Sequence, residues 1–329
     1  MAEQKSFSLL VALDNPPFLD SGSPLEGRLQ ALSRQFIHHT DVPSDEAQII
    51  ARMKEADAVL NSRATVRFTR EVLASCPQLK ILSRAGTGVD HIDLNAAREL
   101  GITVTNSPGC GTPYVAEHAL ALALAVSRRI FQNDQQVRQG NWTRSFINEL
   151  YQKTLGVVGT GAIGQRMIQL GKGIGMKVIA WTVHPSPERA SQYGVEFVPI
   201  EELLRQSDVV SLHVELSPLT ERLIGRQELD LMKPSAVLVN TARGPLVDET
   251  ALIDALEQGK IAGAGLDVFD IEPLPAGHPF TRLDNVVLAS HQGLFSRNAV
   301  IRAIEMAVES LESFTRGNPV YTVVTGTRR

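Results

Sequence analysis

Leu155-Gly156-Val157-Val158-Gly159-Thr160-Gly161-Ala162-Ile163-Gly164 is the stretch that decides how the rest of this chain reads. An apolar run suited to a buried strand breaks at Gly159, and a helical pattern opens directly behind it and continues to Lys172. Glycines at 159, 161 and 164 satisfy G-x-G-x-x-G in the strand-to-helix setting that makes this short motif informative. The first glycine permits a tight turn, the second lets the backbone approach a pyrophosphate, and the third lets helix and strand pack closely. Amides at the helix N-terminus then face the phosphate charge. The stretch predicts a parallel α/β domain that holds a dinucleotide at Gly159, Gly161 and Gly164.

The same alternation continues downstream, with strands expected at 177–181, 209–213, 236–240, 263–267 and 286–288 and helices between them. A shorter series precedes it, with strands expected at 7–13, 58–60, 81–83 and 103–105. Thr112 and Pro113 are a good cap and first residue for a long Ala- and Leu-rich helix that ends at Arg128 and Arg129, cations suited to a helix C-terminus. Apolar nearly all round, this helix is expected to be buried, as a bridge between domains or as a subunit interface. After the last strand, Ser296 caps a helix with Ile301, Ile304, Val308 and Leu311 at helical spacing, stopped by Gly317-Asn318-Pro319. That helix is expected to return to the first series, which makes the first domain discontinuous.

A chain of 329 residues has room for two domains. Its 32 basic and 36 acidic residues are dispersed, so neither nucleic acid nor an anionic membrane surface is an expected partner. The longest apolar stretch, 119–126, is far shorter than the roughly 20 residues of a membrane span. The run at 7–13, closed by Asp14 and Asn15, is too short for a secretory signal. Cys76 and Cys110 stand apart with no CxxC spacing, so no structural metal is expected and the cytoplasm is the expected compartment.

The strand after the fingerprint ends in Thr182, Val183 and His184, where a dinucleotide fold usually places the carboxylate that binds the ribose. Two readings stay open. Thr182 bonds the ribose hydroxyls of NAD, or His184 and Arg189 meet the 2′-phosphate of NADP, with a slight lean to NADP. Three later segments carry the chemistry: Asn240-Thr241-Ala242-Arg243-Gly244, Asp267-Val268-Phe269-Asp270-Ile271-Glu272 and Ser290-His291-Gln292-Gly293. Each lies just past a strand, and ligands of parallel sheets bind beyond the carboxyl ends of the strands. Arg243, Glu272 and His291 are therefore expected to converge on one crevice. His213 ends a strand beside the cofactor and is expected to line its site, whereas His118 reads as a satisfied helix residue and Asp90 and Asp93 as turn and capping residues.

At these residues the chain resembles the D-isomer-specific 2-hydroxyacid dehydrogenase family, along essentially its whole length. Further matching motifs are Arg84-Ala85-Gly86-Thr87-Gly88-Val89-Asp90-His91-Ile92-Asp93, Asn106-Ser107-Pro108-Gly109, Val115-Ala116-Glu117-His118 and Met232-Lys233-Pro234. The resemblance implies a Rossmann-type doubly wound parallel sheet domain at 105–292, inserted into a smaller flavodoxin-like α/β substrate domain at 1–104 plus 293–329. It implies NAD(P)-dependent interconversion of a small D-2-hydroxy acid and its 2-oxo acid by hydride transfer. Arg243 would hold the substrate carboxylate and polarise the carbonyl, His291 would be the acid/base, and Glu272 would pair with His291 and favour its charged form. Backbone around Gly86, Thr87 and Gly88 would take the substrate carboxylate, with Arg63 and Arg84 as further anion contacts and Thr87 near the nicotinamide. Other implied cofactor contacts are Ala162, Ile163, Val214, Thr241, Ala242, Asp267 and Gly293, with Arg243 and His291 at the same site.

A homodimer built on the dinucleotide domain is also implied, with the segment around Trp142 supporting it. No metal is required. Ser290, Gln292 and Phe295 depart from the family's usual residues around the histidine and warn against copying one member's substrate. Glyoxylate or hydroxypyruvate reduction fits the pattern. The alternatives are D-3-phosphoglycerate dehydrogenase proper, or a dinucleotide-sensing corepressor-like relative.

Overall fold

The computed structural model describes residues 7–142 and 144–328. The first sheet is built from β1 (Phe7–Ala12), β2 (Ser33–His38), β3 (Ala58–Asn61), β4 (Ile81–Arg84) and β5 (Thr103–Thr105). Helices α1 (Pro24–Leu32), α2 (Glu46–Met53), α3 (Arg70–Ala74) and α4 (Leu94–Glu99) connect these strands. Their starts follow from the sequence, because Ser23, Asp45, Thr69 and Asp93 each accept a hydrogen bond from the amide three residues on. The five strands pair in parallel in the order β2-β1-β3-β4-β5, the flavodoxin arrangement.

Helices α5 (Thr112–Ser127) and α6 (Ile130–Arg138) open the second unit. Its strands are β6 (Thr154–Val158), β7 (Lys177–Trp181), β8 (Glu196–Phe197), β9 (Val209–Leu212), β10 (Val237–Asn240), β11 (Gly263–Leu266) and β12 (Val286–Leu288). Between them run α7 (Ala162–Gly173), α8 (Pro187–Tyr193), α9 (Ile200–Gln206), α10 (Arg226–Leu231) and α11 (Glu249–Glu257). All pairings are parallel in the order β12-β11-β10-β9-β6-β7-β8, a doubly wound sheet whose order reverses between β6 and β9.

One face of this sheet buries Leu155, Val157, Val209 and Val239 against Ala119, Leu122 and Ala123 of α5 and Met167 and Ile168 of α7. The other buries Val158, Leu212, Leu238 and Leu266 with Leu203, Leu204, Leu252 and Leu256. Burial on both faces explains why these strands read as unbroken apolar runs. Helix α5 lies so close to the sheet that a Cβ on Gly265 would stand 2.8 Å from that of Leu122.

The chain then returns to the first sheet through α12 (Arg297–Thr315), capped by Ser296, and β13 (Thr322–Val324), which pairs antiparallel with β5. Two compact units result, one of residues up to Gly111 together with those from Ser296, the other Thr112–Phe295. The segment after β5 stays with the first unit because Ser107 Oγ bonds the carbonyls of Arg84 and Ala303 at 3.2 and 2.8 Å. The loop after β12 stays with the second because the amides of Gln292 and Gly293 bond the Asp267 carboxylate at 2.7 and 2.9 Å.

Three strands, β2, β8 and β13, were not expected from the sequence. All three lie at a sheet edge, where one side of the ladder and part of each face stay open, so no apolar run marks them. Both cysteines are free and buried, and burial pushes the Cys76 thiol up to about 11. Among the described residues, no helix is long and apolar enough to cross a membrane, and no three His, Cys, Asp or Glu side chains are grouped to hold a metal.

Candidate active site

The turn between β6 and α7 lies at the point where the strand order reverses. Gly159 adopts φ +96°, and a Cβ there would fall 2.5 Å from the Val214 amide nitrogen and 2.6 Å from the His213 carbonyl oxygen at the end of β9. A Cβ on Gly164 would sit 1.9 Å from the Gly159 carbonyl oxygen, so helix and turn can approach this closely only through glycine. Gly161 is different, because a Cβ there would meet nothing within 4 Å. Protein packing does not require that glycine, whereas a pyrophosphate laid on the Ala162, Ile163 and Gly164 amides would take up its open face. The buried Thr241 hydroxyl, which has no hydrogen-bond partner among the described residues, suits the same ligand. These residues fit a dinucleotide.

The Arg189 side chain from α8 reaches back to this turn. Its Nη2 donates to Thr160 Oγ1 at 2.9 Å and to the Thr160 carbonyl at 3.3 Å, while Nη1 donates to the His184 carbonyl at 2.7 Å. Ser186 caps α8 by accepting from the Arg189 amide, and the guanidinium lies 5.8 Å from the Tyr193 ring centroid. Thr182, half-buried, and His184, exposed, follow β7 beside this group. His213 bonds Ser211 Oγ at 2.8 Å, and burial pushes its imidazole down to about 4, so it is neutral at physiological pH.

Arg243, Glu272 and His291 follow the carboxyl ends of β10, β11 and β12, three adjacent strands. His291 Nδ1 lies 2.7 Å from Glu272 Oε2. A carboxylate can only accept, so Nδ1 is the donor and Nε2 is left as the ring's other proton-carrying position. Glu272 Oε1 accepts from the Phe269 amide at 3.1 Å. Burial alone would raise the Glu272 carboxyl. The hydrogen bond and charge of His291, the Phe269 amide and the charge of Arg243 outweigh it and hold the group below its ordinary value.

The backbone at His291 is left-handed, with φ +54°. It is held there because the His291 amide bonds the Asp267 carbonyl at 2.8 Å while the next two amides bond the Asp267 carboxylate. That carboxylate is almost fully buried, with His118 Nε2 of α5 3.3 Å from Oδ1. His118, expected to be a satisfied helix residue, stands against the aspartate that shapes the histidine loop.

In the first unit, Arg63, Arg84 and Gly86–Gly88 follow the carboxyl ends of β3 and β4. The fully buried Asp14 carboxylate takes the Asn61 amide at 2.6 Å and the Arg63 backbone amide at 2.7 Å, which shapes the loop that carries Arg63. Arg63 Nε is buried without a hydrogen-bond partner among the described residues. Gly86 takes φ +151°, with the Arg84 guanidinium where its Cβ would be, 2.9 Å from Nη2. Thr87 Oγ1 donates to the Ser107 carbonyl at 3.1 Å. Asp93 caps α4, as expected.

Thr160, Asn240 and Gly244 were not singled out by the sequence for the contacts they make. Asn240 ends an apolar strand as its one polar residue, and that contrast is the signal that marks it.

The sequence model of the D-isomer specific 2-hydroxyacid dehydrogenase NAD binding domain matches residues 120–293. A glyoxylate reductase from Korarchaeum cryptofilum is 41% identical over 283 residues, covering 84% of this chain and 85% of that protein. A D-3-phosphoglycerate dehydrogenase from Methanocaldococcus jannaschii is 42% identical over 280 residues, covering 84% of this chain but 53% of that protein. Among solved structures, an acyclic imino acid reductase in complex with NADPH and D-Arg superposes with a TM-score of 0.87 at 32% identity, covering 96% of this chain and 100% of that one.

Proposed function

The chain belongs to the D-isomer specific 2-hydroxyacid dehydrogenase family, and from that membership we propose that it reduces a small 2-oxo acid to the D-2-hydroxy acid with NADPH, and runs the reverse reaction, using His291 as acid/base. The observation that carries this reading is the 2.7 Å pairing of His291 Nδ1 with Glu272 at the carboxyl edge of the sheet, beside Arg243.

A carboxylate that accepts from Nδ1 fixes the ring's orientation and stabilises its cationic form, so Nε2 can give a proton to the substrate oxygen and recover it in the reverse direction. Arg243 holds the substrate carboxylate and polarises the carbonyl through charge-assisted hydrogen bonds. Gly86, Thr87 and Gly88 offer backbone to the carboxylate, and Arg84 adds a cation. The dinucleotide, when bound, supplies or takes up the hydride. Gly159, Gly161, Ala162, Ile163 and Gly164 hold its pyrophosphate, and Val214, Thr241, Ala242, Asp267 and Gly293 hold the rest. NADPH is favoured over NADH because none of Thr182, Val183 and His184, the residues directly after β7, is a carboxylate, while His184 and Arg189 stand to meet a 2′-phosphate. Thr182 is left to the ribose, and neutral His213 lines the site. The cytoplasm is the proposed compartment.

A second reading rests on Arg63. Its buried, unbonded Nε suits a second substrate anion, as in a phosphorylated 2-oxo acid of the kind a D-3-phosphoglycerate dehydrogenase handles. Glyoxylate, hydroxypyruvate, phosphohydroxypyruvate, pyruvate and phenylpyruvate, offered with NADH and NADPH in parallel, separate the two by nicotinamide absorbance. Turnover of glyoxylate or hydroxypyruvate with NADPH is the expected result, and preference for phosphohydroxypyruvate supports the second reading. His291→Ala should cost about 10²- to 10⁴-fold in turnover and leave NADPH binding intact. Unchanged turnover would remove His291 from the mechanism.

A further inference from the structure

The turn that presents Arg243 is held from two sides. Asn240, 1% exposed at the end of β10, uses both ends of its carboxamide on it. Its Oδ1 accepts from the Ala242 amide at 3.0 Å, and its Nδ2 donates to the Arg243 carbonyl at 2.8 Å. The Asn240 main chain is committed to the sheet, its carbonyl accepting from the Asp267 amide at 3.0 Å. From the opposite side, Gly244 lies so close to the next loop that a Cβ would meet the Phe269 carbonyl carbon at 2.1 Å and the Asp270 nitrogen at 2.5 Å. That loop leads directly to Glu272.

We propose that Asn240 is a positioning residue for the reaction, its carboxamide fixing the direction in which Arg243 leaves the turn. The inference rests on the assignment of Arg243 to the substrate carboxylate and carbonyl. The chemistry demands this side chain. The turn offers an N–H that needs an acceptor and a C=O that needs a donor, and only a primary amide of this length supplies both. Aspartate would set a carboxylate oxygen against the Arg243 carbonyl, and leucine would leave the Ala242 amide unpaired and the Arg243 carbonyl with only its longer bond from the Leu246 amide at 3.3 Å. Geometry alone decides how well an arginine meets a carbonyl, and a displacement of about 1 Å in a positioned group costs on the order of 10²-fold in rate. Binding of the dinucleotide rests chiefly on the separate turn at Gly159–Gly164.

A double-mutant cycle tests this on the full chain, with single-turnover reduction of glyoxylate by NADPH as the readout and NADPH affinity by fluorescence beside it. Asn240→Ala should lower kcat/KM about ten- to hundred-fold while the NADPH Kd stays within about threefold. In the Arg243→Ala background the same substitution should cost less than about threefold, because Asn240 acts through a side chain that is no longer there. A purely structural role would give losses that multiply, and that result overturns the proposal, as does an Asn240→Ala variant with unchanged kcat/KM.

Asn240→Ser covers the case in which the alanine variant does not fold. Its hydroxyl can still accept from the Ala242 amide, so it should recover part of the loss, and an activity equal to wild type again overturns the proposal. A wild type that reduces none of the 2-oxo acids overturns the functional reading and this inference together. A crippled Arg243→Ala beside an undisturbed Asn240→Ala overturns this inference alone.

Discussion

Glu272 shows how opposed physical effects are resolved at a single residue. Burial disfavours its charge, yet its carboxyl lies below the ordinary value because His291, the Phe269 amide and Arg243 all favour the anion. A carboxyl lowered in the folded state contributes stability above its unfolded value of about 4.3, and the contribution is lost as the pH falls through the folded value. Glu272→Gln should therefore lower Tm at pH 7, and the two curves should converge as the pH falls below the ordinary carboxyl range. The same substitution removes the anion that steadies an imidazolium, so reductive turnover should fall about ten- to thousandfold with a smaller change in KM. A Tm difference that persists unchanged at acid pH would show that Glu272 stabilises the loop without its charge. Glu272 and His291 could be singled out in the sequence chiefly through the motifs shared with the family, because a carboxylate or a histidine just past a strand end is by itself as often a packing residue. Asn240 left only the contrast of one polar residue at the end of an apolar strand, and Thr160 left none, because a hydrogen bond to a local turn makes no periodic pattern in a single sequence.

Among the elements, legibility followed burial. The central strands β3, β6, β9 and β10 bury both faces and read as largely apolar runs, whereas β2 spells Ser-Arg-Gln-Phe-Ile-His at an edge and reads as nothing. The link from β7 into α8 lies between these extremes. Its missing carboxylate was visible, but only the fold shows that Arg189 reaches the Thr160 hydroxyl and so stands at the phosphate turn. A guanidinium placed there favours a 2′-phosphate by a charge-assisted bond worth about 1.5–3 kcal/mol. Arg189→Ala should raise the KM for NADPH about ten- to hundredfold and change that for NADH less than about threefold. Equal losses with both cofactors would mean that Arg189 supports the Thr160 turn and does not read the phosphate.

For the whole molecule, what is left uncovered by a single chain is as informative as what is buried. Helix α6 has no buried residue, although it carries Ile130, Phe131 and Val137, all exposed. In the segment that follows, Trp142 is 81% and Phe146 102% exposed, with Tyr151 beyond them also open. A short helix with no apolar face against its own core, next to exposed aromatic rings, is expected to be covered in solution. Association through a two-fold axis is the commonest solution, and a second copy of this chain presents the same rings in return. We propose a homodimer on these grounds, whose interface, by the usual scale of stable ones, would bury about 1,200–2,000 Å² or more. Light scattering behind size exclusion at micromolar concentration should give twice the chain mass of 35.8 kDa. Trp142→Ser combined with Phe146→Ser should shift the population to single chains and lower Tm. NADPH binding should survive in that variant, because the Gly159–Gly164 turn and Arg189 belong to one chain. A wild type that runs as a single chain would sink the dimer, and a double variant that still dimerises would move the interface to another surface.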